Sequence, residues 1–180
     1  MISGIAIIHI IFFAAFLFML IIHLVIISSF RTPKLGNCIV RTGIGGAKVA
    51  LQHGIMVLPK VHAYEEIDMS VKQFDVSSKV TFKDGVQKEI TVNYSLRIVK
   101  TVQDVFDAIN QIGIEKINNT VELKKLFEDK FIQATQEAAS EMDGEKIHQN
   151  LQMFLEKILD HTGVELNGLT LEDASIRPIT

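Results

Sequence analysis

The first thirty residues contain no Lys, Arg, Asp or Glu. Within them, the stretch from Ile5 to Ser28 (IAIIHIIFFAAFLFMLIIHLVIIS) is almost uninterrupted apolar sequence. A helix of this length spans roughly 36 Å, which is enough to cross the hydrocarbon core of a bilayer with some tilt. A cleaved signal peptide would instead need a basic leader, a shorter apolar run and a small-x-small cleavage site, and none of these is present. The sequence therefore predicts a transmembrane anchor over residues 1–30.

All charged side chains lie after this segment, where 18 Lys and Arg and 21 Asp and Glu leave a net charge of −3. A nearly neutral, slightly acidic soluble part lacks the basic footprint of nucleic-acid binding, so we expect no nucleic-acid partner. The first charges after the apolar run are all basic: Arg31, Lys34, Arg41 and Lys48. The flank rich in Lys and Arg usually stays cytoplasmic. We therefore expect a single-pass protein with its N-terminus outside and residues 31–180 in the cytoplasm.

His9 and His23 are the ionisable side chains of the apolar run. They are fourteen residues apart in the sequence, so on a helix they point within about 40° of each other. Polar groups in a span often mark a helix–helix contact. Each also lies close to one end of the run, where a neutral imidazole reaches the headgroups. We favour this second interpretation, and the first stays open.

Residues 41–59, RTGIGGAKVALQHGIMVLP, carry three closely spaced glycines followed by a lysine. Phosphate-binding loops need G-x-x-x-x-G-K-[ST] or G-x-G-x-x-G, and the place of the third glycine is taken here by Lys48. Both motifs also need a following helix. The residues that follow are rich in β-branched side chains and are interrupted by Gly54 and Pro59. This pattern predicts strand, turn and strand rather than a nucleotide site.

A strand-rich half follows a linker at residues 31–36. The strongest local pattern is a hairpin at Asp84-Gly85, a dipeptide typical of a two-residue turn with positive φ. After it, apolar residues occupy the even positions from Ile90 to Ile98 and polar residues the odd ones, as in a strand with one buried face. The other predicted strands are 38–41, 48–52, 55–58 and an extended segment at 61–76.

In the C-terminal third, apolar residues recur at helical spacing, which predicts helices. A first helix is predicted to end at Gly113. A second starts near Asn119 or Thr120, with Glu122 placed for a capping box. A third begins after Asp143-Gly144 and stops at Gly163. The residues that form the apolar faces of these helices are Val102, Val105, Phe106, Ile109, Ile112, Leu123, Leu126, Phe127, Phe131, Ala134, Ile147, Leu151, Phe154, Leu155, Ile158 and Leu159.

The segment Val164–Leu171 is ambiguous from the residues alone. Asn167-Gly168 is a dipeptide that forms the turn of small hairpins. A glycine at this place also fits a kink in one long strand that runs on to Ile176. Both interpretations stay open at this point.

No catalytic or metal-binding pattern is present in the sequence. The histidines outside the apolar run form no H-E-x-x-H motif, the single cysteine excludes a paired-cysteine zinc site, and no G-x-S-x-G elbow occurs. Cys38 cannot form an internal disulfide, which fits a reducing compartment, and is interpreted as a buried, inert thiol. Glu65, Glu66 and Asp68 are expected to face solvent. We predict no catalytic, cofactor-binding or metal-binding residues. The histidines outside the apolar run are His53, His62, His148 and His161.

The order of the predicted elements, together with residues 38–76, resembles the SPFH (band 7) family of stomatins, prohibitins and flotillins. The similarity is greatest to bacterial flotillin-like members, in which a V-R-[TS]-G-x-G-G-x-K-V run precedes a glycine-bearing strand ending in Leu-Pro and a His-containing segment. The Asp84-Gly85 hairpin and the late stretch VELNGLTLEDASI also resemble the family, so the resemblance covers most of residues 30–177. The residues that fit the motif in order are Arg41, Gly43, Gly45, Gly46, Lys48, Val49, Gly54, Leu58, Pro59 and His62.

The resemblance implies an α+β fold in which a single N-terminal transmembrane helix precedes an SPFH-like domain. That domain has an antiparallel strand-rich half, packed helices and a closing strand. The resemblance also implies that the glycine-rich stretch is a β-hairpin near the membrane surface, and it favours one bent strand around Asn167-Gly168. The expected division is an anchor at 1–30, a linker at 31–36, the SPFH-like domain at 37–177 and a C-terminal tail at 178–180.

The implied function is a non-enzymatic scaffold of the inner (plasma) membrane. Such proteins self-associate into rings or cages, organise lipids into microdomains and confine partner membrane proteins such as proteases. We therefore expect membrane lipids and further copies of the chain as partners, and no cofactor. The alternatives are an accessory subunit that encircles or regulates a larger membrane complex, and a membrane-bound enzyme, for which no candidate residues exist.

Flotillin-like chains continue into a long coiled coil that builds a cage wall. This sequence ends at Thr180, which leaves open a short natural variant or a missing remainder. A tall closed cage is therefore in question, whereas a flat ring of SPFH-like domains is not, and the choice between ring and cage stays open.

Overall fold

A computed structural model describes residues 4–163 and 165–177 of the chain. The chain divides into two compact units, Met1–Glu66 and Ile67–Thr180, and the boundary falls within a strand. The predicted tail at 178–180, the first three residues of the predicted anchor, and Val164 lie outside the described residues. The division into anchor, linker, domain and tail stays a prediction.

The first unit consists of an N-terminal helix followed by short strands in two small sheets. One sheet pairs β1 with β4, and the other places β2 between β3 and β5. The strands predicted at 38–41, 48–52 and 55–58 are confirmed in position. The elements are α1 (Gly4–Ser29), β1 (Phe30–Arg31), β2 (Asn37–Gly43), β3 (Lys48–Ala50), β4 (Ile55–Met56) and β5 (His62–Asp68).

The second unit is an antiparallel four-stranded sheet, in the order β6-β7-β9-β8, with helices packed against it. The chain is thus a mixed α+β protein with one apolar N-terminal helix, as the sequence predicted. The elements are β6 (Lys72–Thr81), β7 (Gln87–Ile98), α2 (Val102–Ile112), α3 (Ile114–Ile117), α4 (Thr120–Ser140), a 3-10 helix (Gly144–Gln149), α5 (Leu151–Thr162), β8 (Glu165–Leu166) and β9 (Leu169–Ile176).

The core of the second unit lies between the sheet and helices α4 and α5. The alternation predicted for β7 is confirmed, because every even position from Ile90 to Ile98 is buried. The ring of Tyr94 stacks on that of Phe131 from α4, with centroids 3.9 Å apart. Burial raises the pKa of Tyr94 to about 12, although its hydrogen bond to Thr135 opposes the shift. The apolar faces of β7 and α4 therefore pack against each other through these aromatic side chains.

The hairpin between β6 and β7 forms at the predicted place but has a longer loop than predicted. Phe82 and Val86 close it, since the amide of Phe82 donates to the carbonyl of Val86 and the amide of Gly85 donates to the carbonyl of Phe82. The loop therefore holds three residues, 83–85, and only Gly85 has a positive φ, at 81°. A type I turn followed by one left-handed glycine gives this geometry.

Three details of the helices differ from the sequence prediction. The side chain of Asn119 caps α4 by accepting from the amides of Val121 and Glu122. The reciprocal half of the predicted capping box does not form, because the Glu122 carboxylate instead pairs with Lys125. Leu126, predicted to be in the core, is 40% exposed. The third predicted helix is divided into a 3-10 helix and α5, with the break at Asn150.

The segment around Asn167-Gly168 is a hairpin, and the bent strand favoured by the family resemblance is wrong. Strands β8 and β9 pair antiparallel with Leu166 opposite Leu169, so only two residues form the turn. Both have positive φ, 54° and 85°, as a type I′ turn requires. Gly168 also lies against α2, where a Cβ would collide with the backbone of Ala108. A side chain is excluded here by close packing as well as by conformation.

Candidate membrane-binding site

Helix α1 presents apolar side chains to the surroundings on every side. It runs for 26 residues, from Gly4 to Ser29, and its segment Ile7–Ser29 is long and apolar enough to cross a membrane. Seventeen large apolar side chains between Ile7 and Ile27 are exposed. If burial recovers roughly 1 kcal/mol for each, transfer into lipid gains on the order of 20 kcal/mol. His9 and His23 are also exposed on this helix.

The C-terminal end of α1 continues directly into a strand. The hydroxyls of Ser28 and Ser29 donate to the carbonyl of Val25, at 3.1 and 2.6 Å. The carbonyl of Ser29 accepts from the amide of Val57 at 2.7 Å, and Phe30 pairs with Met56. Phe30 was predicted to belong to the anchor and Arg31 to the linker at 31–36, because a two-residue strand leaves no periodic pattern.

Two contacts hold the strands that follow the helix. The ring of Phe30 occupies the space that a Cβ of Gly54 would need. The guanidinium carbon of Arg31 lies 5.7 Å from the centroid of the Tyr64 ring, a cation–π geometry. The strand segments next to the helix are therefore tied together by side chains as well as by the β1–β4 pair.

The glycine-rich stretch forms the predicted β-hairpin, with Arg41 of β2 opposite Lys48 of β3. Gly43 has a φ of 118°, and a Cβ there would collide with the carbonyl oxygen of Val61. His62 joins this hairpin to a neighbouring loop. Its Nδ1 accepts from the amide of Leu58 at 3.1 Å, so Nε2 carries the proton and donates to the carbonyl of Ile44 at 3.0 Å. The geometry of the turn is therefore supported by the close approach at Gly43 and by the two hydrogen bonds of His62.

Arg41 is a buried cation, 8% exposed. Its Nη1 donates to the carbonyl of Met56 at 3.1 Å. Its Nε is buried and has no hydrogen-bond partner among the described residues. Its Nη2 lies beside Gly45, where a Cβ would be 3.8 Å away. A buried guanidinium with an unsatisfied N–H is uncommon in folded proteins and calls for an explanation.

The two units carry opposite formal charge. Residues 1–66 contain five Lys or Arg and two Glu, which is a net of +3. Residues 67–180 contain 13 Lys or Arg and 19 Asp or Glu, which is a net of −6. Basic side chains near the end of an apolar helix are attracted to anionic lipid headgroups. The basic residues after the helix can be recognised in the sequence, but the difference in net charge between the two units requires their boundary.

The acidic cluster expected to face solvent does so only in part. Glu65 is exposed, whereas Glu66 is half-buried and accepts from the side-chain amide of Asn37 at 3.3 Å. Asp68 is half-buried and forms an ion pair with Lys72, which is itself buried. Burial alone would raise the pKa of Asp68, but hydrogen bonds from Lys72 and Ser70 outweigh it and lower this pKa to about 2. These carboxylates hold the fold rather than forming an open acidic site.

The other candidate groups belong to different elements of the chain. Cys38 is buried in β2, and burial raises the pKa of its thiol to about 11. His148 lies in the 3-10 helix, and His161 of α5 lies between Glu137 and Glu141, within 3.3 Å of each. Across residues 4–163 and 165–177, no three His, Cys, Asp or Glu side chains are grouped so that they could hold a metal ion.

Comparison with known proteins places this arrangement in a family. The profile of the SPFH domain / Band 7 family matches residues 34–180, and these include every described helix and strand except α1 and β1. The chain belongs to the SPFH domain family. It is also 26% identical over 162 residues to the flotillin family inner membrane protein YqiK of Escherichia coli (strain K12). The matched region is 87% of this chain and 29% of that relative, so the chain spans less than a third of the relative's length. Together with the apolar helix, these matches identify a membrane-associated SPFH protein.

Proposed function

We propose that this SPFH protein is a single-pass, non-enzymatic scaffold of the inner membrane, which self-associates and organises lipids or partner membrane proteins. The observation that carries the proposal is α1, an apolar helix exposed on all sides and joined without a loop to β1, which precedes the family region at residues 34–180. Such a helix is stable in lipid and aggregates in water. The name of the YqiK relative, an inner membrane protein of the flotillin family, supports the same location.

The proposed orientation places the N-terminus outside and residues 31–180 in the cytoplasm. It is supported by the net charge of +3 in residues 1–66, all of it after the helix. Protease added to spheroplasts should leave residues 31–180 intact, because this orientation places them inside. Protease added to inverted vesicles should remove the family region. Cleavage in spheroplasts alone would reverse the orientation.

The outer edge of β6 supports self-association. The Thr81 amide and carbonyl bond to the side chain of Gln136 rather than to β7, and Phe82 bonds to Val86. Alternate residues of an antiparallel strand point their backbone groups to opposite sides. The odd positions of β6 from Gln73 to Lys79 therefore point away from β7, and no backbone partner for them occurs in the described part of the chain. Such an edge can pair with another chain.

Particle mass in solution tests self-association. The full chain should be extracted in mild detergent and measured by size exclusion with light scattering. We expect a mass many times the 20.1 kDa of one chain. Ser77→Pro should reduce this mass, because proline blocks pairing at the outer edge without removing a bond to β7. Ser77→Ala is the matched control, since it loses only the 2.8 Å hydroxyl contact with Thr91.

Two outcomes would contradict the proposal. A wild-type chain that remains monomeric in mild detergent and in lipid would exclude a self-associating scaffold. A particle that contains one copy with a different membrane protein in fixed ratio would instead identify an accessory subunit of a larger complex.

A further inference from the structure

The hairpin between β2 and β3 places two cations together without a carboxylate. Arg41 and Lys48 are directly opposite in the antiparallel register, a placement that is unfavourable for like charges. Across residues 4–163 and 165–177, neither side chain forms an ion pair. Arg41 is also buried and its Nε lacks a hydrogen-bond partner there. A buried charge is stable only when it is paired, so this arrangement is incomplete without an anion.

The position of Arg41 close to the end of α1 indicates the source of that anion. The guanidinium of Arg41 donates to the carbonyl of Met56, and Met56 pairs with Phe30, the first residue after α1. Paired residues in an antiparallel sheet have Cα atoms about 5 Å apart. One strand spacing and one hydrogen bond therefore separate the guanidinium from the end of the helix. If α1 spans the bilayer, the guanidinium of Arg41 therefore lies at the depth of the lipid headgroups.

The geometry of the loop leaves the pair open to a bulky oxyanion. Gly45 and Gly46 follow β2, and a Cβ on Gly46 would meet no other atom within 4 Å. Nη2 of Arg41 lies beneath Gly45, which has no side chain to cover it. A tetrahedral phosphate offers several acceptors to two cations at once, and a guanidinium binds it through two N–H groups. One carboxylate would neutralise only one of the two charges.

We propose that Arg41 and Lys48 form a phosphate-binding site at the membrane surface, occupied by the phosphate of an anionic lipid headgroup. The site rests on the proposed insertion of α1, because the bilayer supplies the phosphate at high local concentration. It differs from the nucleotide loop that the sequence excludes, since no helix follows the glycines and β3 begins at Lys48.

Lipid retention by the full chain tests this site. Wild type and variants should be placed in nanodiscs of phosphatidylcholine with a minority of phosphatidylglycerol, and the lipids kept after release should be counted by native mass spectrometry. We expect wild type to be enriched in phosphatidylglycerol. Any basic side chain near the surface contributes up to roughly fivefold, so Lys34→Gln, which removes an exposed cation of the same segment, should lower the enrichment by no more than that. Arg41→Gln and Lys48→Gln should each lower it by clearly more than Lys34→Gln does, because they remove direct contacts to the phosphate.

Further measurements distinguish a lipid phosphate from free phosphate as the ligand of the site. If millimolar inorganic phosphate displaces phosphatidylglycerol in wild type but not in Arg41→Gln, the site takes free phosphate as well as lipid. Lys48 is exposed, so Lys48→Gln is informative even if Arg41→Gln fails to fold. In lipid-free detergent, Arg41→Met should raise the unfolding temperature, since it removes an uncompensated buried charge.

Three results would overturn the site. They are equal retention of the two lipids by wild type, an equal loss with Lys34→Gln, and loss of the oligomer in Arg41→Gln with unchanged lipid retention. The last would assign the pairing anion to a carboxylate of a second copy. The first two results do not depend on the mass of the particle, so the lipid site and the proposed scaffold can fail separately.

Discussion

Substitution of Gly168 tests the turn that corrects the family-based expectation. Gly168 has a φ of 85°, and a Cβ would collide with the backbone of Ala108 on α2. Gly85 has nearly the same φ, 81°, but a Cβ there would meet nothing within 4 Å. Gly85→Ala therefore measures the conformational cost alone, and Gly168→Ala measures that cost together with the displacement of α2.

The expected magnitudes follow from these two terms. A left-handed conformation costs an alanine roughly 1–2 kcal/mol, and the lower entropy of its unfolded chain offsets part of this, which leaves about 1 kcal/mol for Gly85→Ala. Displacement of packed backbone adds about 1–3 kcal/mol for Gly168→Ala. In a chain of this size about 1 kcal/mol shifts the unfolding temperature by about 2–4 °C. Gly168→Ala should therefore unfold about 3–10 °C below Gly85→Ala.

The assay is thermal unfolding of the full chain in detergent, followed by far-ultraviolet circular dichroism at one protein concentration. Helix α1 contributes a constant signal in the micelle, so the transition reports the two units. If Asn167-Gly168 only kinked a continuous strand, an alanine with negative φ would fit there. Gly168→Ala would then be no worse than Gly85→Ala, and that result would refute the hairpin and its contact with α2.

Three further predictions concern single side chains. Acid titration should destabilise the chain as pH falls from about 4 towards about 2, because the pKa of Asp68 is lowered to about 2 and its ion pair with Lys72 is lost on protonation. Asp68→Asn should remove this transition and lower the free energy of unfolding by about 1 kcal/mol, as expected for a partly exposed pair. Cys38 should resist N-ethylmaleimide at pH 8 in the folded chain and react after unfolding, since it is buried with a pKa of about 11; rapid labelling of the folded chain would contradict its burial. His62→Ala should cost about 1–2 kcal/mol and expose the hairpin to protease through loss of two hydrogen bonds, whereas His53→Ala, at an exposed position, should leave both properties unchanged.

Elements whose sequence pattern is local were predicted well. The uncharged composition of α1, the alternation of β7 and the glycine that ends α2 each depend on neighbouring residues alone. The motif from Arg41 to His62 located the hairpin and the family for the same reason. The profile match over residues 34–180 confirms that interpretation.

Features that depend on distant partners were missed. β1 is too short for a periodic pattern and exists only because Ile55–Met56 lies beside it. The local sequence left both interpretations of Asn167-Gly168 open, and the family resemblance favoured the bent strand. The contact of Gly168 with Ala108, which accompanies the hairpin, cannot be read from the local sequence. Arg41 was recognised as a motif residue, but its burial against Met56 depends on how the strands pack. The candidate site therefore emerged only from the three-dimensional structure.

Resistance to alkaline extraction tests most directly the claim that α1 anchors the chain in a bilayer. Membranes that contain the full chain should be washed with carbonate, and the pellet compared with that of a Phe16→Arg, Leu20→Arg variant. Each charge near the centre of the span costs about 2.5–3.5 kcal/mol of insertion. We predict that the wild type stays in the pellet and is released only by detergent, while a larger fraction of the variant is recovered in the supernatant. Wild-type chain recovered as dispersed protein in the carbonate supernatant would contradict the account.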